Sequence, residues 1–203
     1  MKKVFIFTIL ILILDQALKL YIKSNYTIGA EPLHLGILKL HFIENEGMAF
    51  GKQFPFAGGK IVLSLLRLVA ITVIFLYIKK LLLKKTVRTG LLFAISCILA
   101  GAIGNVIDGS FYGLIFSEST YFNVARFMPV EGGYAPFMYG KVVDMLEFTV
   151  HFPDWFPYFG GKQVFPFIFN IADAAITTGI AMIFIWQKRY FPKEESVVVG
   201  EEE

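Results

Sequence analysis

The sequence contains a single cysteine, Cys97, which excludes an intramolecular disulfide and a cluster of thiolate metal ligands. It also lacks the H-E-x-x-H motif of zinc peptidases, a P-loop and a dinucleotide-binding fingerprint. His151 is too isolated to complete a catalytic triad with a serine or cysteine. The net charge of +3 is too small to indicate nucleic-acid binding. We therefore expect no metal, no cofactor and no nucleic-acid partner.

Apolar residues dominate the composition. Hydrophobic residues make up 56% of the chain and aromatic residues 16%, and the mean hydropathy is +0.65. Apolar runs of about 20 residues are long enough to cross a hydrocarbon core of roughly 30 Å. The sequence predicts a mainly α membrane protein, one domain over 1–203, with four transmembrane helices at about 4–21, 61–78, 90–107 and 164–186.

The distribution of positive charge predicts the orientation of these helices. Lysine and arginine residues precede the first run, occupy a basic loop at 79–89 and follow the last run at Lys188 and Arg189. Cytoplasmic loops carry an excess of such residues, so both termini and this loop are expected in the cytoplasm. Segments 25–60 and 108–163 are then outside. The first run is expected to be an uncleaved span, because no convincing small-x-small cleavage site follows it.

The two outer segments differ in pattern. Apolar and polar residues nearly alternate from Leu33 to Phe42, which predicts a small extracytoplasmic β element of one or two strands, with a bulge or a turn near Gly36. His34 and His41 are expected to face solvent on it. Segment 108–163 is rich in aromatic residues, proline and glycine. Such a loop is compatible with a lid over a site and equally with a non-catalytic loop at the lipid headgroups.

Two aspartates are the candidate catalytic groups. Asp173 follows the start of the last apolar run by about two helical turns, and Asp144 lies in an apolar stretch. An ionisable group within a membrane costs on the order of 3 kcal/mol and therefore usually has a function. Two neighbouring carboxyls near neutral pH share one proton, so one can activate water while the other protonates a carbonyl. Ion conduction, a proton relay and helix capping would also explain such aspartates.

Further polar residues are expected at the same depth. Asn45, Asn105, Asp108 and Asn170 come from separate parts of the chain but all fall near the outer face of the four-helix layout. Asp15 and Lys19 are spaced i,i+4 on the first helix. They form either an ion pair that stabilises this helix or part of the site. Arg67 interrupts the second run, and its position alone assigns it no function.

Five ordered sequence blocks together resemble the bacterial lipoprotein signal peptidases (signal peptidase II), which are intramembrane aspartyl proteases. They are Asp15-Gln16 with Lys19; Asn45-x-Gly47-x-Ala49-Phe50-Gly51; Ala100-Gly101-Ala102-x-Gly104-Asn105-x-x-Asp108; Val142-Val143-Asp144; and Phe169-Asn170-x-Ala172-Asp173. Each block alone is weak evidence, but the ordered set covers most of residues 10–185 and is specific.

The resemblance implies a role for each matching residue. Asp144 and Asp173 would be the catalytic pair of an aspartic endopeptidase. Asn45, Gly47, Asn105 and Asn170 would form the substrate pocket, and polar support would come from Asp15, Lys19, Asp108 and the neighbouring Ala172. The implied substrate is a diacylglyceryl-modified prolipoprotein, cleaved just before its lipidated cysteine. The implied location is the bacterial cytoplasmic (inner) membrane, with the active site near the outer face and in contact with lipid.

The sequence departs from the family pattern in two ways. Gly109 follows Asp108 where the family usually has an arginine, so a fixed guanidinium is missing there. We hypothesise that Arg126 supplies this charge and binds substrate. Segment 110–140 is longer than the usual connection and is either a lid or a contact surface. Two alternatives to a protease stay open at this point: a small proton- or ion-coupled transporter, and a non-catalytic lipoprotein-binding factor.

Overall fold

A computed structural model describes residues 1–46, 59–83 and 87–192 of the chain. Six helices and four strands occur in these ranges. In chain order they are α1 (Lys2–Asn25), β1 (Leu33–Leu35), β2 (Leu38–Asn45), α2 (Gly59–Leu81), α3 (Thr89–Ile107), α4 (Gly113–Ile115), β3 (Val142–Phe148), β4 (Ile168–Phe169), α5 (Ile171–Ile185) and α6 (Gln187–Tyr190). A π-helical turn, Asp108–Tyr112, joins α3 to α4. The predicted pocket residue Gly47 lies outside the described ranges.

Three long helices, α1, α2 and α3, cover the first three apolar runs, and α5 covers only the later part of the fourth. Within the described residues, two helical stretches are long and apolar enough to cross a membrane: Lys2–Asn25, and Thr89–Ile115, which continues α3 through the π-helical turn. Ile171–Ile185 is a shorter apolar helix of 15 residues. The four-span arrangement itself stays a prediction. α1 continues past the predicted end at residue 21 because its last turn is packed: Ile22 and Lys23 are both fully buried.

The last helix starts later than predicted. The expected span 164–186 begins as an irregular segment with the two-residue strand β4, and α5 starts only at Ile171. Pro166 disfavours helical backbone at the residue before it. The side chain of Asn170 then caps the helix by accepting a hydrogen bond from the Asp173 amide. Asp173 therefore lies in the first turn of α5, and the prediction that it lies two turns inside a helix was wrong.

The sheet lies between the ends of the helices. Its four strands are antiparallel in the order β1-β2-β3-β4. The turn between β1 and β2 contains Gly36 at φ +63°, which decides between the bulge and the turn that the pattern left open there. β3 and β4 were not predicted, because the buried β3 lacks apolar–polar alternation. The register between β2 and β3 pairs Ile43 with Asp144, which places the aspartate on a central strand.

Glycines on α3 allow the helices to approach closely at the height of the site. A Cβ at Gly101 would lie 2.2 Å from the Ala172 carbonyl oxygen on α5. A Cβ at Gly104 would lie 2.7 Å from an Asp15 carboxylate oxygen on α1. Ala172 is fully buried at this junction. The small side chains thus bring α1, α3 and α5 together around their polar residues.

Segment 110–140 packs against the end of the bundle where the π-helical turn and β3 lie. Phe116 and Ala125 join Phe42, Tyr112 and Met145 in a buried cluster. The returning chain then runs beside the π-helical turn, where the Gly140 amide donates to the Gly109 carbonyl at 2.8 Å. This segment therefore supports the end of α3 and strand β3, while the tip around Phe122 is exposed.

Candidate active site

Asp144 and Asp173 lie beside each other in one polar cluster. Asp144 is on β3 and only 2% exposed, whereas Asp173 on α5 is half-buried. Asn170 connects the two residues: its Nδ2 donates to Asp144 Oδ1 at 2.6 Å and its Oδ1 accepts from the Asp173 amide at 2.9 Å. Asn170, which caps α5, therefore also donates a hydrogen bond to the carboxylate of Asp144 on β3. The structure brings together the two aspartates that the sequence singled out.

Asn105 completes the connection from the third helix. Its Nδ2 donates to Asp173 Oδ1 at 2.8 Å, and its Oδ1 accepts from Lys19 Nζ at 3.1 Å and from Asn170 Nδ2 at 3.2 Å. Asn105 and Asn170 are both buried. Each asparagine thus uses its donor and its acceptor, which fixes the orientation of both amides.

Lys19 is the cation at the base of this cluster. Its Nζ lies 2.9 Å from Asp15 Oδ2 and 2.7 Å from Asp108 Oδ2, and all three side chains are at most 1% exposed. Together with the bond to Asn105, these contacts use all three ammonium hydrogens. Asp15 Oδ1 also accepts from the Ala172 amide at 2.8 Å. The pair Asp15–Lys19 is therefore buried within the cluster and does more than stabilise the surface of α1.

The π-helical turn supplies Asp108 to the same network. Gln16 Nε2 donates to Asp108 Oδ1 at 2.9 Å, and Tyr112 donates its hydroxyl to Gln16 Oε1 at 3.2 Å. Segments of π-helix inside α-helices are frequent at functional sites. The sequence pattern assigned no role to Gln16 or Tyr112, because their polar atoms become significant only through these contacts between elements.

The environment of Asp144 favours its protonated form. Burial and the nearby charge of Asp173 raise the pKa of Asp144 to about 7. Hydrogen bonds from Asn45 and Asn170 and the charge of Lys19 oppose this shift only in part. One carboxyl of the pair can therefore hold a proton near neutral pH. Such a pair can donate a proton and accept one without a metal or a covalent intermediate.

The remaining predicted site residues have different positions. Asn45 is at the end of β2 and its side chain hydrogen-bonds Asp144. Arg126 is exposed, and its backbone amide and carbonyl pair with Ser117. Within the described ranges, no contact joins the Arg126 side chain to the two aspartates. The structure therefore gives no support to Arg126 as the replacement for the arginine missing at Gly109.

Two charged features near the site were not predicted. The charge of Arg67 on α2 interacts with Asp173, Asp108 and Asp144, in decreasing order. A second buried ion pair, between Lys23 and Glu44, also contacts the Ser119 hydroxyl and lies directly before Asn45 in β2. A charge within an apolar run was the available signal for Arg67. Which groups such a charged side chain approaches depends on the tertiary fold.

One group of side chains away from the aspartates has the composition of a metal site. Ligand atoms of Glu31, His41 and Glu147 lie within 4.8 Å of one another. Lys39 Nζ already lies 2.6 Å from Glu31 and 3.2 Å from Glu147, so a lysine ammonium supplies the positive charge there. Burial raises the pKa of Glu147, but hydrogen bonds from His41, Gln163 and Lys39 outweigh burial and lower it overall. His41 is half-buried against Glu147, a correction to its predicted exposure to solvent.

Comparison with known proteins shows which family the chain resembles. Residues 7–188 match the family model described as signal peptidase (SPase) II. A protein named lipoprotein signal peptidase from Porphyromonas gingivalis is 37% identical over 186 residues, which cover 89% of this chain and 80% of that protein. Another of the same name, from Amoebophilus asiaticus, is 37% identical over 195 residues, covering 91% and 78%.

A solved structure shares the fold. It is described as a bacterial membrane enzyme structure at 2.3 Å resolution, and it aligns with a TM-score of 0.60 over 97% of this chain and 95% of that one, at 22% identity. The family match covers most of the chain, including every described residue of the polar cluster. The chain belongs to the signal peptidase II family.

Proposed function

We propose that this protein is an aspartic endopeptidase that removes signal peptides from diacylglyceryl-modified prolipoproteins. The observation that carries the proposal is the paired placement of Asp144 and Asp173, linked through Asn170 and Asn105. Membership of the family and relatives named lipoprotein signal peptidase supply the substrate class. Cleavage is proposed just before the lipidated cysteine of the precursor.

In the proposed reaction the two aspartates share one proton and act as a unit. The ionised carboxylate takes a proton from water as the water oxygen bonds to the scissile carbonyl carbon. The protonated carboxyl gives its proton to the carbonyl oxygen, which forms a neutral gem-diol. The nitrogen then receives a proton from one carboxyl, a gem-diol hydroxyl returns its proton to the other, and the C–N bond breaks. The products are a carboxylic acid and an amine, and the pair regains its single shared proton.

The buried residues around the pair hold this geometry. Lys19 pairs with both Asp15 and Asp108 and thereby holds α1 against the π-helical turn beside the catalytic pair. We assign substrate binding to Asn45 and Gly47, and to Asn105 and Asn170, which also orient the carboxyls. Ala172 allows the close approach of α5 to α3. The predicted role of Arg126 as a substrate contact stays a prediction.

The proposed location is the bacterial inner membrane, with α1, α2, α3 and α5 as four spans of a single domain. Large apolar side chains along α1 and α2 are exposed, which suits a lipid environment, among them Leu10, Leu14, Leu65, Val69 and Leu76. Both termini and the loop 79–89 would be cytoplasmic, because the basic residues cluster there. The acyl chains of the precursor would remain in the bilayer while its peptide reaches the aspartates. Segment 110–140 would contact the precursor or the headgroups at the outer face.

The test is cleavage of a purified diacylglyceryl-modified precursor by the purified full-length protein, followed as a gel shift. Asp144→Asn and Asp173→Asn should each abolish product formation, because either change removes a carboxyl from the pair. Asp154→Asn, the same substitution at an exposed position of the outer loop, should cleave like the wild type. Cleavage should also continue with a metal chelator present.

The outcomes separate the proposal from its alternatives. Normal cleavage by either variant of the pair would refute the mechanism. Loss of activity with chelator would indicate a metal-dependent reaction. Binding of the precursor without any product from the wild type would favour a non-catalytic lipoprotein-binding factor.

A further inference from the structure

Arg67 and Gly109 lie on facing surfaces of α2 and the π-helical turn. A Cβ built at Gly109 would lie 3.8 Å from Ser64 Oγ on α2. Arg67 is one helical turn beyond Ser64, on the same face of α2. The face of α2 that carries Arg67 therefore covers the position in the turn that lacks a side chain.

The charge of Arg67 is directed at the aspartate pair. Its strongest interaction is with Asp173, followed by Asp108 and Asp144. Lys19 is also near the pair, but its three hydrogens are already bound to Asp15, Asp108 and Asn105. Arg67 is thus a second cation beside the pair, in addition to Lys19, whose charge acts on Asp144.

The guanidinium of Arg67 also has N–H donors that could bind a substrate. It is half-buried, and among the described residues it forms no hydrogen bond and no ion pair with an N–O distance within 4.0 Å. A guanidinium carries five N–H donors in a planar fork suited to carbonyl and carboxylate oxygens. Its interactions with the aspartates act through space and leave these donors available.

We propose that Arg67 is a substrate-binding residue, which donates to a backbone carbonyl oxygen of the precursor beside the aspartate pair. This inference rests on the proposed peptidase function. Arg67 would then have the substrate-binding role that the sequence analysis gave to Arg126, and α2 would contribute to the site. Because its charge favours the ionised carboxylate, Arg67 also sets the pH range of the reaction.

The test compares Arg67→Gln and Arg67→Lys with the wild type in the cleavage assay, over a range of pH. Loss of a charged hydrogen bond to the substrate is expected to lower kcat/KM by about 10- to 100-fold. Arg67→Gln should also shift the acidic limb of the profile to higher pH, because an uncompensated pair holds its proton more tightly. Arg67→Lys should restore the pH profile but not KM, because an ammonium lacks the planar fork.

The pH shift is interpreted against the other ionisable groups of the cluster. They are Asp15 and Lys19 on α1, Asp108 after α3, Asp144 on β3, Asp173 on α5, and the neighbouring Lys23–Glu44 pair between α1 and β2. All of them remain unchanged in the Arg67 variants. A purely structural effect of the substitution would lower the amount of folded protein without shifting the pH profile.

Arg88→Gln is the matched control, since Arg88 is exposed at the start of α3, away from the cluster, and should cleave like the wild type. Wild-type kcat/KM and pH profile in Arg67→Gln would overturn the inference while leaving the peptidase proposal intact. Loss of activity in Arg126→Gln with normal activity in Arg67→Gln would also overturn the inference about Arg67. If Arg67→Gln does not fold, the inference is overturned by a wild-type KM in Arg67→Lys. If the wild type cleaves no precursor, the peptidase proposal itself fails, and this inference fails with it.

Discussion

Asp144→Asn is expected to stabilise the folded protein above neutral pH although it abolishes cleavage. Burial and the charge of Asp173 raise the pKa of Asp144 from its ordinary 3.8 to about 7. The folded state therefore binds a proton in the interval between these values that the unfolded state has lost. Stability is consequently lost as pH rises through this interval. Above pH 7 the whole penalty is present, and it corresponds to about 4 kcal/mol.

Asparagine removes this penalty because it cannot ionise. Its side-chain oxygen can still accept the hydrogen bond that Asn170 donates to Asp144 at 2.6 Å. For a domain of this size, about 4 kcal/mol corresponds to an increase in Tm of roughly 10 °C. The increase should be present at a pH of about 8.5 and should nearly vanish at a pH of about 3, where the carboxyl is mostly protonated in both states.

The assay can use the single cysteine of the chain. Cys97 is 3% exposed, so a thiol-reactive fluorophore will report its exposure during thermal unfolding in detergent at the alkaline pH. At the acid pH, where the thiol is protonated and unreactive, the intrinsic fluorescence of the two tryptophans reports unfolding. Each variant is compared with the wild type at the same pH, because the reactivity of the thiol itself depends on pH. Asp154→Asn, at an exposed site, should leave Tm unchanged at both pH values. A Tm for Asp144→Asn no higher than that of the wild type at the alkaline pH would refute the reasoning.

Two further predictions concern the buried cation and the orientation in the membrane. Lys19→Met should lower the free energy of unfolding by about 3–5 kcal/mol, because Asp15 and Asp108 lose their buried partner. Thermal unfolding measures this loss. Adding Asp108→Asn to the variant should recover part of it. In a Cys97→Ala background, Asp154→Cys should react with a membrane-impermeant maleimide in intact cells, whereas Lys80→Cys should react only after the cells are opened.

Each of these predictions has a contradicting result. Lys39→Met removes a lysine that pairs with Glu31 near the surface and should destabilise less than Lys19→Met; equal losses would contradict the role of burial. Labelling of Lys80→Cys in intact cells would reverse the proposed orientation.

The sequence predicted the features that depend on local pattern. Alternation from Leu33 to Phe42 marked the first two strands and the turn at Gly36, and apolar runs marked the four long helices. Aspartates in apolar surroundings marked the cluster, because an ionisable group is costly there unless it is used. The family resemblance then paired Asp144 with Asp173, and the structure brings them together.

The features that were missed depend on tertiary contacts. The start of α5 is set by the cap that Asn170 provides, which hydropathy does not register. Strand β3 is buried on both faces, so its residues show no alternation. Arg126 was selected because it follows Gly109 in the extended loop, whereas the charge of Arg67 acts on the aspartates from a helix more than 40 positions before Gly109. Distance along the chain did not predict distance in space.

Position 170 accepts few amino acids other than asparagine. Its side-chain oxygen receives the amide of Asp173, while its nitrogen donates to Asp144, Asn105 and the Val143 carbonyl. Aspartate would start the helix equally well but would place a third carboxylate against the pair, and serine would be too short to reach β3. The residue that begins the last helix and the residue that aligns the two acids are one and the same, so neither task can be altered without disturbing the other.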